Sequence, residues 1–194
     1  MEQSANRVIL RGSLYELPAF SHENHSKRFY RFTLEVERLS GTVDILPVLV
    51  SEPVLCAMDL SSGQIRSFNS RAATGRRLVV SVYAESLTAC EGEPHNEVYL
   101  AGTLCKEPVH RKTPLGREIC DVMLAGNRPY HRSDYIPCIF WGRTAELVAA
   151  CQVGDTLELT GRLQSREYVK VLESGNERRV AYEVSAMTAA RTGL

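Results

Sequence analysis

The stretch NRVILRGSL at residues 6–14 recurs as NEVYLAGTL at residues 96–104, and this repeat predicts the fold. Other identities follow at the same spacing of 90 residues: Pro18 and Pro108, Leu34 and Leu124, Arg38 and Arg128, Asp44 and Asp134, Pro47 and Pro137. A unit of this size exceeds the periods of about 20–50 residues that solenoids and propeller blades use. We therefore predict two copies of one domain, at residues 1–87 and 96–194, joined by a linker at residues 88–95.

The second copy has the clearer strand pattern. Apolar residues alternate along residues 97–106, which is the period of a strand, and a glycine within that alternation indicates a sharp bend. We predict its other strands at residues 117–125, 134–141, 156–164 and 179–187, and a short helix at residues 143–151. The intervening residues 107–116 and 126–133 are predicted to be polar loops.

The first copy has the same order of elements. Its predicted strands are residues 7–16, 28–37, 43–51, 64–71 and 77–84, with a weak helix near residues 54–60. The order of three strands, a helix and two strands is that of the OB-fold, a Greek-key barrel. The expected fold class is all-β: two tandem five-stranded OB-fold barrels, each with a short helix between strands 3 and 4.

Composition limits the possible partners and locations. The chain has 23 basic and 23 acidic residues, so any surface that binds nucleic acid must be a local patch of Lys and Arg. The longest apolar stretch is interrupted by charged residues and prolines and is too short to cross a membrane. The N-terminus lacks the apolar core of a signal peptide, so we expect a cytoplasmic protein.

No motif in the sequence indicates catalysis. The chain has no nucleophile elbow, no phosphate-binding Gly-Lys-Ser/Thr loop and no His-Glu-x-x-His. Its six cysteines include no Cys-x-x-Cys pair, so we expect no zinc site, and we predict that they are reduced and buried. We therefore expect neither an enzyme nor a cofactor.

The second copy resembles the bacterial single-stranded DNA-binding proteins. The resemblance rests on the opening motif at residues 96–104, FWG at residues 140–142, the helix that follows, Gly161-x-Leu163 and Arg166-x-Tyr168. These motifs occur in the order and spacing of that family. LPVLVS at residues 46–51 and GTLC at residues 102–105 are similar to primosomal replication protein N, another OB-fold protein that binds single-stranded DNA.

The resemblance implies a site at which bases stack on aromatic rings. The matching positions in the second copy are Tyr130, Tyr135, Trp141 and Tyr168. In the first copy, Ser40, Ile45 and Ser51 stand at the first three of these positions, so this copy lacks the family's aromatics. We expect it to serve assembly, contact with a partner, or an extension of the DNA path through Arg28, Arg31 and Arg38. The alternative for each aromatic of the second copy is that it packs in the core or on the surface without binding bases.

Basic residues close to these aromatics are the candidates for phosphate contacts. They are Arg111, Lys112, Arg128, Arg132, Arg162, Arg166 and Lys170. The strand pattern puts Arg111 and Lys112 in the first loop of the second copy, Arg128 and Arg132 in the loop after its second strand, and the last two on its final hairpin. The alternative is that each is a solvated surface charge.

The function that these observations favour is non-catalytic binding of single-stranded DNA in replication, repair or recombination. The alternative is an OB-fold scaffold for protein–protein interaction in a replication or primosome assembly. The family resemblance implies four barrels per assembly, so a chain with two barrels is expected to form a homodimer. The chain ends without the acidic tail common in the family, so we do not expect recruitment of replication proteins by a tail.

Overall fold

The computed structural model describes residues 6–57, 62–72, 75–128, 132–172 and 175–192, with the backbone alone described for residues 62–72 and 75–77. The first half contains β1 (Asn6–Arg11), β2 (Ser13–Asn24), β3 (Lys27–Glu37), β4 (Val43–Ser51), α1 (Glu52–Ala57), β5 (Ser62–Ala72) and β6 (Gly75–Ser86). The second half contains β7 (His95–Leu104), β8 (Val109–Lys112), β9 (Glu118–Arg128), β10 (Arg132–Trp141), α2 (Arg143–Ala149), β11 (Thr156–Leu172) and β12 (Gly175–Thr192). Among the described residues, neither helix is long enough to cross a membrane.

Strand pairing closes the second half into a barrel. β7 pairs with β11, β11 with β12, β12 with β10, β10 with β9, and β9 pairs back with the end of β7. The β10–β12 pairing is parallel and the others are antiparallel. The first half repeats this order through β1, β5, β6, β4, β3 and β2. Each half is thus a five-stranded barrel of the predicted type, with its helix between the third and fourth main strands.

The repeated glycine of the opening motif is explained by the bend of the first strand. At Gly12 the chain stops pairing with β5 and begins to pair with β3, and Gly102 marks the corresponding change from β11 to β9. A Cβ atom on Gly12 would clash with the Glu35 carbonyl oxygen, and one on Gly102 would lie 3.1 Å from the Ala125 carbonyl oxygen. A side chain at either position would push the two strands apart.

The two barrels are joined through their first strands. β1 and β7 pair antiparallel, with Val8 opposite Val98, Asn6 opposite Leu100 and Leu10 opposite Asn96. In the repeat, Asn6 is equivalent to Asn96 and Leu10 to Leu100, so the pairs on the two sides of Val8–Val98 are the same pair with the halves exchanged. The halves are therefore related locally by a pseudo-two-fold axis through the Val8–Val98 pair. All twelve strands therefore belong to one hydrogen-bonded sheet, which the prediction of two barrels joined by a linker did not include.

Where β7 stops pairing with β11, the side chain of Asn96 hydrogen-bonds to β11 in place of the backbone. The last described pair of β7 and β11 is Val98 with Gly161. Two residues further, the Asn96 side-chain amide donates to the Leu163 carbonyl oxygen at 2.7 Å, and its oxygen accepts from the Leu163 N–H at 2.9 Å. The side chain thus satisfies backbone groups of β11 that no longer face a strand in register.

Several sequence predictions differ from the structure, and the last two strands of the second half are longer than predicted. Residues 109–112, predicted to lie in a loop, form β8, which pairs with β9. Residues 17–24, predicted outside any strand, complete β2, whose three register shifts accommodate Pro18 and let the edge strand follow β3. The predicted loop at residues 126–133 is much shorter, because β9 continues to Arg128 and β10 begins at Arg132.

The two halves are separated by a segment without strand structure. β6 ends at Ser86 and β7 begins at His95, so no strand covers residues 87–94. The last hairpin is shorter in the first half, with strands of 11 and 12 residues against 17 and 18 in the second. The domain limits themselves remain a prediction.

Candidate nucleic-acid interface

The outer face of the second barrel carries a groove of about 700 Å³. It lies across β9, β10, β11 and β12. Among the described residues that line it, five are arginines, one is a carboxylate and one is the tryptophan: Arg38, Arg111, Arg117, Arg162, Arg166, Glu183 and Trp141. An aromatic ring in a mainly cationic groove is an arrangement that suits a single-stranded nucleic acid.

Trp141 is at the end of β10 with its ring held in place. Its indole Nε1–H donates to the Ser185 Oγ at 3.2 Å, and the residue is 39% exposed. Ile119, directly opposite on β9, lines the same groove and is buried. The ring therefore has a fixed orientation and an accessible surface, as base stacking requires.

Tyr135 and Tyr168 are also partly exposed. Tyr135 lies on β10, on the same face as Trp141 by strand alternation, and is 43% exposed. Tyr168 lies on β11 and is 37% exposed, with the Arg166 guanidinium carbon 5.9 Å from its ring centre. Tyr130, the fourth predicted ring, lies outside the described residues.

Arg166 is held by the carboxylate on the groove floor. Its Nε lies 3.3 Å from Glu183 Oε1, and the Gln164 amide donates to the same oxygen at 2.9 Å. Glu183 itself is buried. A buried carboxylate needs such partners, because an unpaired charge is costly away from water. The guanidinium remains half exposed and faces the groove beside Tyr168.

Arg162 has an unsatisfied group in the groove. Its Nε is buried, and no hydrogen-bond partner for it occurs within the part of the chain that the structure describes. A buried donor without a partner costs about 1–3 kcal/mol. Arg162 also lines the groove and forms no ion pair among the described residues, so it is a candidate for contact with a phosphate.

Arg111 and Lys112 lie on β8 and already have acidic partners. Arg111 Nε is 2.7 Å from Asp121 Oδ2, and Lys112 Nζ is 2.7 Å from Glu118 Oε1. The hydrogen bond with Glu118 raises the pKa of Lys112, and the hydrogen bond from Lys112 lowers the pKa of Glu118. These ion pairs connect side chains of β8 with β9 and with Glu118 at its start, alongside the backbone pairing of the two strands.

Arg128 differs from the other predicted phosphate contacts. Its Nε lies 2.9 Å from Oδ2 of Asp134, a carboxylate that is only 1% exposed. Arg132 is exposed at the start of β10, and Lys170 is exposed on the β11–β12 hairpin opposite Glu177. The structure thus brings Trp141, Arg111, Arg162 and Arg166 into one groove, while Arg128 neutralises a buried acid.

Arg117 and Ser185 line the groove of the second barrel and were not among the predicted site residues. Arg38, expected from the sequence only as part of a possible DNA path along the first copy, reaches the groove from the first barrel. Arg38 donates to the Ser165 carbonyl oxygen at 3.4 Å. Strand alternation on β12 could have placed Ser185 beside Trp141, but no sequence signal connects Arg38 to a strand 127 residues away.

The cysteines agree only in part with the prediction. Cys120, Cys138 and Cys151 are buried and Cys105 is half-buried, but Cys56 and Cys90 are exposed. All six are free thiols. Cys56 is on the short helix α1 and Cys90 on the segment between the barrels, where no core is available to cover them. Among the described residues, no cluster of His, Cys, Asp or Glu could hold a metal ion.

Comparison with protein families identifies the second half. The model of the single-strand binding protein family matches residues 95–191. Single-stranded DNA-binding protein B of Bacillus subtilis (strain 168) is 39% identical over 80 residues, which cover 38% of this chain and 71% of that protein. The chain therefore belongs to the single-strand binding protein family.

Two other relatives have the same relationship to this chain. Single-stranded DNA-binding protein A of B. subtilis is 39% identical over 80 residues, and single-stranded DNA-binding protein 3 of Listeria innocua is 38% identical over 80 residues. Each match covers 38% of this chain, and 46% and 50% of the respective relative. The chain thus spans about half the length of these two proteins.

Comparison with solved structures covers both halves. The wild-type single-stranded DNA binding protein from Thermus aquaticus superposes with a TM-score of 0.77 at 21% identity, over 97% of this chain and 93% of that one. A deletion mutant of the same protein gives 0.78 over the whole of this chain. At this identity the likeness shows a shared fold, and it extends over both barrels.

Proposed function

We propose that this protein binds single-stranded DNA without catalysing a reaction on it. Bases stack on Trp141, Tyr135 and Tyr168, and the phosphates lie near Arg162, Arg166, Arg111 and the exposed Arg132 and Lys170. The observation that carries the proposal is Trp141, a half-exposed ring held by Ser185 in a groove lined by arginines. Family membership and the names of the relatives support the same conclusion.

Stacking explains how one groove can accept many sequences. Every base has a flat face, so aromatic rings bind successive bases with little preference, and each stack contributes about 1–3 kcal/mol. Such a protein serves replication, repair or recombination by covering transient single strands, which would place it in the cytoplasm with the DNA.

The test is quenching of intrinsic fluorescence, since Trp141 is the only tryptophan. Oligo-dT is expected to quench its emission saturably, whereas duplex DNA of the same length quenches weakly. If Trp141 emission is unchanged at saturating oligo-dT, the proposed groove is wrong and the protein-scaffold alternative is favoured. Competition with an RNA oligonucleotide then measures the preference between DNA and RNA.

We also propose a homodimer, so that two chains supply four barrels. The first strands already pair within one chain, so the dimer must use another surface. Edge strand β2 exposes Leu14, Tyr15 and Leu17, which are 50%, 58% and 80% exposed. Pro18 and the register shifts of β2 disfavour strand addition, so contact through side chains is the expected mode.

A further inference from the structure

Three aromatic rings form a row on the outer face of the first barrel. They are His22 on β2, Phe29 on β3 and Tyr83 on β6. The His22 and Phe29 rings are stacked, with centroids 4.9 Å apart and planes 11° from parallel. The Phe29 and Tyr83 centroids are 6.4 Å apart. The Phe29 and Tyr83 planes are tilted by 49°, and both rings are half-buried. The accessible flat surface of the row is therefore the open face of His22, which is exposed.

Strand register gives the position of this row on the barrel. Phe29 is directly opposite Ser51 on β4, and Leu49, two residues earlier on β4, is beside Tyr83 on β6. Alternation along β4 places Leu49 and Ser51 on one face, so Phe29 and Tyr83 flank the Ser51 position.

The same register occurs in the second barrel around Trp141. Ile119 is directly opposite Trp141, and Ile139, two residues earlier on β10, is beside Ser185 on β12. The rings on β3 and β6 of the first barrel thus take the places of Ile119 and Ser185, on either side of the place that Trp141 has in the second. The first barrel lacks the family's aromatic at that place, but it carries rings on both neighbouring strands.

Two basic residues lie next to the three aromatic rings. Lys27 and Arg31 lie two residues before and after Phe29 on β3, so all three side chains share one face. Both cations are exposed, and neither forms an ion pair within the described ranges of the chain. In the second barrel the residue equivalent to Arg31 is Asp121, which pairs with Arg111. The first barrel therefore presents rings with unpaired positive charge, which is complementary to bases and phosphates.

We propose that His22, Phe29 and Tyr83 form a second stacking site for single-stranded DNA, with Lys27 and Arg31 contacting its phosphates. The proposal rests on the proposed function and extends it, because one strand of DNA could then contact both barrels. A base would continue the stack on the exposed face of His22. The site uses strands β2, β3 and β6, whereas the predicted rings of the second barrel lie on β10, β11 and the residues between β9 and β10.

A relocated tryptophan tests the site directly. In the double variant F29W/W141F the single tryptophan lies in the row, and an oligo-dT of about 8 nucleotides fits one barrel, since OB-folds cover about 4–16 nucleotides each. We expect saturable quenching of its emission. If oligo-dT of any length leaves this emission unchanged while it quenches wild-type Trp141, the second site is overturned and the proposed function stands. If wild-type Trp141 is not quenched, the proposed function fails.

Affinity measurements on single variants test the second stacking site independently. We expect F29L and H22A each to weaken binding of an oligo-dT of about 35 nucleotides by about 5- to 150-fold, as the loss of one stack implies. The matched control is F20L: Phe20 is an exposed ring on the same hairpin, but it packs against Tyr30, which faces the other side of β3. F20L should leave affinity unchanged.

The stability of the same three variants is measured, so that a loss of affinity can be distinguished from a loss of folding. Urea midpoints of H22A, F29L and F20L show whether a variant is merely unstable. H22A is the decisive variant because His22 is exposed and its removal leaves no cavity. Equal affinity of wild type and H22A for the long oligonucleotide, or equal losses in H22A and F20L, would contradict the second site.

Discussion

Arg38 and Asp44 form a two-pronged ion pair, with Nε–Oδ2 and Nη2–Oδ1 distances of 2.6 Å, and Asp44 is completely buried. The hydrogen bond to Asp44 raises the pKa of Arg38. The pair recurs 90 residues later as Arg128 and Asp134. Asp44 also accepts hydrogen bonds from the Ser165 N–H at 2.7 Å and its Oγ at 3.1 Å. The repeated ion pair therefore has a structural role in both barrels. In the first barrel, Asp44 also binds Ser165 and so connects the first barrel to the second.

Replacing Arg128 by Ala should destabilise the fold. The change leaves the buried Asp134 carboxylate without its cation, which costs about 3–5 kcal/mol. Urea denaturation followed by circular dichroism measures the free energy of unfolding. The control is Arg132→Ala, since Arg132 is exposed four residues later. An unchanged urea midpoint for Arg128→Ala, combined with weaker DNA binding, would restore Arg128 as a phosphate contact.

Replacing Trp141 by Ala should weaken oligo-dT binding by about 1–3 kcal/mol, because one stacking surface is lost. Tyr168→Ala should have a loss in the same range. Fluorescence anisotropy of a labelled oligonucleotide measures both, since it does not depend on the tryptophan. Val169→Ala is the control: Val169 is exposed next to Tyr168 but on the opposite face of β11. If Trp141→Ala and Tyr168→Ala bind oligo-dT with the same affinity as the control Val169→Ala, the stacking role is wrong.

The salt dependence of oligo-dT binding should be shallow. Four of the seven predicted phosphate contacts are paired with carboxylates: Arg111, Lys112, Arg128 and Arg166. Because about 0.7 counterions are released per phosphate neutralised on a single strand, the three unpaired contacts of the second barrel give a log–log slope of roughly −2, and contacts by Lys27 and Arg31 of the first barrel would steepen it to roughly −3.5. Titrations at several salt concentrations measure this slope. A value near −5 would mean that the paired cations exchange their carboxylates for phosphates.

The six thiols should differ in reactivity toward DTNB. Burial raises the pKa of Cys120 to about 11 and also raises the pKa of Cys138. At pH 8, well below these values, both thiols stay protonated and inaccessible, and the thiolate is the nucleophile. Cys56 and Cys90 are exposed and should react first. The number of thiols that react before and after addition of guanidinium tests this expectation. Fast reaction of Cys138 in the native protein would contradict its position in the core.

Light scattering at micromolar concentration should give twice the chain mass of 21.7 kDa. Two-fold dimers are the commonest closed assemblies, and the pairing of β1 with β7 leaves β2 and β8 as the outer strands. The variant Leu17→Lys places a charge in the apolar part of β2 and should shift the mass toward one chain. A wild-type mass near 22 kDa would refute the dimer.

The local features of this protein were predictable from its sequence. The repeat predicted two copies of one barrel, and alternation located the main strands, because the period of a strand is a property of neighbouring residues. The bends at Gly12 and Gly102 were predictable for the same reason, since a glycine inside a strand usually marks a bend or a close approach of two backbones. Trp141, Arg162 and Arg166 were chosen from motif and alternation, and the structure brings them together in one groove.

The tertiary structure decided which charges are available and which rings share a surface. No pattern along the chain shows that Arg128 pairs with a buried acid while Arg162 forms no ion pair among the described residues, because burial depends on all the strands packed around each residue. Arg38 reaches the groove only because β1 pairs with β7 and brings β4 against β11. His22 and Phe29 pair across one hairpin, but Tyr83 lies far from both in the sequence, and only the register of β3, β4 and β6 places its ring in the same row. Sequence determined the strands, and their long-range pairing determined the surfaces.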